Sequence, residues 1–118
     1  MLAPLLALVL SSPVGADPNS GTKLFQECQA HERISDQTST SNMDYANAAH
    51  CVGYVEGFIT GILVGPPPAP LCPVHATPGT IVRVYVAYMQ QHPALLDKPM
   101  YEGLFAALSD AYPCPKAQ

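Results

Sequence analysis

Four cysteines, Cys28, Cys51, Cys72 and Cys114, lie behind an apolar N-terminus in a short chain, and together these features restrict the possible folds most. An even number of cysteines in a small exported protein implies disulfides formed outside the reducing cytoplasm. By loop-closure entropy each bridge contributes roughly 3–4 kcal/mol. That is a large share of the about 5–15 kcal/mol that keeps a domain of this size folded. The cysteines lack the short paired spacings of structural zinc sites. No C-x-x-C occurs, so a thiol oxidoreductase is disfavoured.

The export reading rests on residues 1–16. Residues 5–10 are wholly apolar, Ser11, Ser12 and Pro13 break the run, and Val14-Gly15-Ala16 offers small residues for cleavage before Asp17. No Lys or Arg precedes the run, which departs from a standard leader. The run is too short to span a bilayer, which needs about 20 residues. The expectation is therefore a signal peptide over 1–16 and one domain over 17–118, with no membrane insertion after cleavage. The net charge of −4 lies wholly beyond Ala16. It argues against nucleic acid and against anionic membrane surfaces as partners.

The rest of the chain reads as all-α. Ser20 is placed to cap a helix over 22–33, with Leu24, Phe25 and Cys28 on its apolar stripe and Lys23, Gln26, Glu27 and Gln29 outside it. A polar loop over 34–42 follows. Ser41 and Asp44 form a variant of the capping box and open a long second helix that ends near Gly65. Tyr45, Ala48, Ala49, Val52, Val55, Ile59, Ile62 and Leu63 recur at helical steps. Beside them Gly53, Gly57 and Gly61 recur at a strict step of four. Each glycine costs about 1 kcal/mol in a helix, so a compensating gain is expected. Close packing against another helix of the same chain is the favoured source, and a dimer face the other.

Pro66, Pro67, Pro68, Pro70 and Pro73 then impose a stiff, extended loop up to Cys72. Thr77 and Pro78 announce a third helix, running to about Gln91, with Ile81, Tyr85, Tyr88 and Met89 on one face. A fourth opens near Pro99, buries Met100, Leu104, Ala107, Leu108 and Ala111, and stops at Pro113. Two helical hairpins follow, and they favour one cysteine pairing. Cys28 and Cys51 stand at similar distances from the first turn. Cys72 before the third helix falls beside Cys114 after the fourth.

Catalytic signals are weak. His31, His50, His75 and His92 form no H-x-x-x-H or H-E-x-x-H spacing, and no nucleophile elbow or phosphate-binding loop is present. His50 adjoins Cys51, but a bridged cysteine is no nucleophile. His92 suits a helix C-terminus, and Glu56 reads as an exposed acid between buried neighbours. A non-enzyme without metal or cofactor is expected.

The order Leu24, Cys28, Cys51-Val52-Gly53-Tyr54-Val55-Glu56-Gly57, Leu71-Cys72-Pro73, Val82, Tyr88, His92-Pro93, Lys98-Pro99 and Ala111-Tyr112-Pro113-Cys114 resembles the Rap/Tai family of immunity proteins of type VI secretion systems. The resemblance implies a small helical periplasmic protein, often a homodimer, that binds and inhibits a peptidoglycan amidase effector. The chain departs from the pattern in its proline-dense loop and its polar 34–42 loop. Inhibitory contacts are expected at Pro66, Pro67, Pro68 and Pro70. A periplasmic chaperone or stress protein that binds unfolded clients is the alternative.

Overall fold

The computed structural model describes residues 17–64, 72 and 74–115. The expected signal peptide and the prolines Pro66, Pro67, Pro68, Pro70 and Pro73 lie outside the described residues. Among the described residues four α-helices form the domain: α1 (Gly21–Ser35), α2 (Asn42–Val64), α3 (Pro78–Gln91) and α4 (Met100–Ala111). A short 3-10 turn, Pro93–Asp97, joins α3 to α4. The fold is the expected all-α pair of helical hairpins, stapled by Cys28–Cys51 and Cys72–Cys114.

Local chemistry sets the helix ends. The Ser20 hydroxyl accepts from the Lys23 amide, Ser41 from that of Asp44 and Thr77 from that of Thr80, so each opening turn has one orphan donor satisfied. α1 runs two residues beyond its expected end at Arg33. It stops because Gln37 takes a left-handed backbone, φ 59°. The Gln37 amide then reaches the Ile34 carbonyl at 3.1 Å and the Thr38 amide the Arg33 carbonyl at 2.9 Å. This closure normally uses glycine.

α1 is the hub and packs against α2, α3, α4 and the 3-10 turn. Leu24 and Cys28 from α1 meet Cys51 and Val55 from α2, Ile81, Val82, Tyr85, Val86 and Met89 from α3, and Leu104 and Leu108 from α4. The start of α1 is sewn to the start of α4. The Met100 amide donates to the Asn19 carbonyl and the Gly21 amide to the Lys98 carbonyl, both at 2.8 Å. Gly21 is required there, since a Cβ would lie 2.4 Å from the Leu95 carbonyl oxygen.

Several positions differ from the sequence reading. Glu27, expected outside the stripe of α1, is only 3% exposed. It faces α2, and Lys23 and His50 contact one carboxylate oxygen each. Tyr45, Ala49 and Ala111, expected in the core, are exposed. In α2 the burial narrows to Ala48, Cys51 and Val55, because only this stretch faces α1 and α3. The face of Gly53, Gly57 and Gly61, expected to pack or to dimerise, is open among the described residues. A Cβ at any of the three would meet nothing within 4 Å.

Candidate functional site

His50, His92 and the cysteines are arranged for structure. All four cysteines are in disulfides, so the thiolate imagined beside His50 does not exist. His50 instead turns its Nδ1 to the buried Glu27 carboxylate, next to the Cys28–Cys51 bridge. The His50–Glu27 contact and the disulfide thus cross the same α1–α2 seam at adjacent positions. His92 caps α3, its Nδ1–H donating to the Tyr88 carbonyl at 2.8 Å while its ring stacks on Tyr88 at 3.9 Å between centroids. Among the described residues no group of three or more His, Cys, Asp and Glu side chains is placed to hold a metal ion.

Charge is distributed unevenly. Arg33 holds Asp44 through two hydrogen bonds, of 3.0 and 2.9 Å, across the α1–α2 turn. The Arg33 guanidinium, helped by the Ser39 hydroxyl, pulls the Asp44 carboxyl down to about 2. Arg83 reaches Asp36 at 2.6 Å, and Lys23 is tied to Glu27. Three of the four cations among the described residues are therefore bound within the chain, Lys98 being the fourth. Among the described residues Glu56, Asp97, Glu102 and Asp110 are in none of these pairs. The pairs cancel cation against acid, so the net charge of −4 is carried by the groups left over.

The most exposed apolar surface lies along α2. Met43, at 68% exposure, and Val64, at 78%, stand near its two ends. Between them run exposed Ala46, Ala49, Gly53, Gly57 and Gly61. α2 carries no Lys or Arg, and its only acids are Asp44 and Glu56. Beside this face a cleft of about 270 Å³ separates the middle of α2 from the segment that enters α3. Val55, Ile59, Val74, Ala76 and Ile81 form its apolar lining, with Glu56 and Thr60 supplying the polar groups on the α2 side.

Sequence reasoning placed Glu56 correctly as exposed but did not find the cleft. Val74 and Ala76 follow the proline-rich segment and carry no periodic signal, so nothing in the sequence aligned them with Ile59. The buried Glu27 was equally hidden. A clue was its position next to Cys28, opposite the His50–Cys51 pair, once those cysteines are bridged.

No helix among the described residues is long and apolar enough to cross a membrane. Neither the curated proteins nor the solved structures compared with this chain gave a match. A family model did: the Rap1a immunity proteins match over residues 20–114, from the cap of α1 to the last disulfide cysteine, and the chain belongs to that family.

Proposed function

We propose that this protein is a periplasmic immunity protein that binds and inhibits a peptidoglycan amidase injected by a type VI secretion system. Membership of the immunity family over residues 20–114 carries the reading. The disulfide-stapled helical frame supports it, because a rigid inhibitor loses little entropy when it docks. The mechanism is occlusion. A stiff surface segment fills the amidase cleft and excludes the peptide substrate, and no chemistry is done by the inhibitor.

The segment proposed for this task holds Pro66, Pro67, Pro68 and Pro70. Proline fixes φ before binding, so less conformational freedom remains to be lost. Its far end is anchored by Cys72, bridged to Cys114 beyond α4 with a Cα–Cα distance of 5.1 Å. The exposed face of α2 with Gly53, Gly57 and Gly61 is the proposed homodimer surface.

The test is to direct a type VI amidase effector from the same genome to the periplasm of a sensitive host and co-express the protein. Rescue from lysis supports the reading; lysis with or without the protein refutes it. Replacing Pro66, Pro67, Pro68 and Pro70 with serine and glycine should weaken co-purification with the amidase. Unchanged binding removes the loop from the mechanism and leaves the immunity role standing.

A further inference from the structure

The cleft between α2 and the approach to α3 combines features that an ordinary surface groove does not need. Val55 and Ile81 form a fully packed floor, at 0% and 2% exposure. Ile59, Val74 and Ala76 are only partly covered, so apolar surface stays open to solvent beside them. Glu56 stands exposed at this apolar patch, and none of the ion pairs among the described residues includes it. The neighbouring face of α2 has no Lys or Arg either. An acid left unpaired beside open apolar surface is complementary to a cation carried next to an apolar side chain.

We infer that this cleft is a second contact for the amidase effector, taking an effector segment in which a Lys or Arg side chain adjoins an apolar one. The inference rests on the immunity reading and adds a contact to it. The apolar side chain lies on Val55, Ile59, Val74 and Ala76, and the cation meets the Glu56 carboxylate. The chain's internal ion pairs favour this occupant over an acidic one. Lys23, Arg33 and Arg83 are committed within the fold, so an acidic segment would meet Glu56 with no compensating cation on α2. Opposed like charges are a strong discriminator between partners.

The experiment measures binding of the full oxidised protein to a purified type VI amidase effector from the same genome. Wild type, Glu56→Gln, Glu56→Lys and the control Asp97→Lys are compared at low and high salt. Glu56 and Asp97 are both exposed, so neither change disturbs the core. Glu56→Lys should weaken binding roughly tenfold or more, by placing like charges together. Glu56→Gln should weaken it less and flatten the salt dependence, and Asp97→Lys should leave it within about twofold. Wild-type affinity retained in Glu56→Lys overturns the cleft while the immunity reading stands. An equal loss in Asp97→Lys also overturns it, since net charge then explains the effect. If the wild type itself does not bind the amidase, the immunity reading fails and takes the cleft with it.

Discussion

The two disulfides use one chemistry in two surroundings. Cys28 and Cys51 are both 0% exposed and sit at the centre of the core. Cys72 is half-buried and Cys114 exposed. The inner bridge spans 23 residues and the outer one 42, so chain entropy alone makes the outer one the stronger by a few tenths of a kcal/mol. Burial reverses the order. The inner sulfurs also fill core volume between Leu24, Val55 and the α3 face, and their removal leaves a hole. One bridge is therefore part of the core, and the other is a tether beside the segment proposed for inhibition.

Double substitution tests this contrast most severely. Cys28→Ala with Cys51→Ala should cost about 5 kcal/mol, the loop-closure contribution plus the cavity. Cys72→Ala with Cys114→Ala should cost about 3–4 kcal/mol. Urea denaturation of the oxidised proteins reads both. A larger cost for the outer pair would show that loop length, not burial, decides. Graded dithiothreitol treatment sharpens the same point. The outer bridge should be reduced first, because exchange needs an attacking thiolate to reach a sulfur.

A smaller contrast sets the glycines of the hub against those of the outer helix face. Gly21 touches the Leu95 carbonyl with no room for a methyl group, whereas Gly57 faces open space. Gly21→Ala should destabilise by about 1–3 kcal/mol through overpacking. Gly57→Ala should stabilise by about 1 kcal/mol through helix propensity. Thermal unfolding of the two variants should move in opposite directions. If Gly57→Ala lowers the melting temperature only at high protein concentration, a self-associated form is being lost, and the face is a dimer contact.

These contrasts mark where the sequence is legible. Helix starts were readable because Ser20, Ser41 and Thr77 announce themselves through side-chain oxygens that bond nearby amides. The cysteine pairing was readable because hairpin turns fix which residues come level. Periodicity named Leu24, Val55, Tyr85 and Leu104 but misjudged Tyr45 and Ala49. A stripe states which face is apolar, not how far the neighbouring helices extend to cover it. The glycine face carries the same ambiguity, since a step of four permits close packing without requiring it. The stop of α1 was missed because Gln37 does the work usually given to glycine. The cleft was missed because two of its walls come from irregular chain.

The weakest expected effect concerns the turn of the first hairpin, where an exposed ion pair acts beside the covalent tie. Asp44 ionises near 2 in the folded protein, against an ordinary value of 3.8, chiefly through its hydrogen bonds from Arg33 and Ser39. A carboxyl with a lowered folded value stabilises the fold above its unfolded value. That contribution is complete above about pH 5, and is lost as pH falls through 4 toward 2. Glu32 works in the opposite sense, because burial raises its value and acid relieves the cost of its charge. The Asp44 effect is therefore read as the difference between wild type and Asp44→Asn, in which Glu32 is common to both. Stability of the wild type should exceed that of the variant at pH 6, and the gap should close by pH 2 and shrink in high salt. The Cys28–Cys51 bridge has no titrating group, so the hairpin itself should persist through the same range. A gap that stays constant with pH would show that Asp44 acts through helix capping geometry rather than through its charge on Arg33.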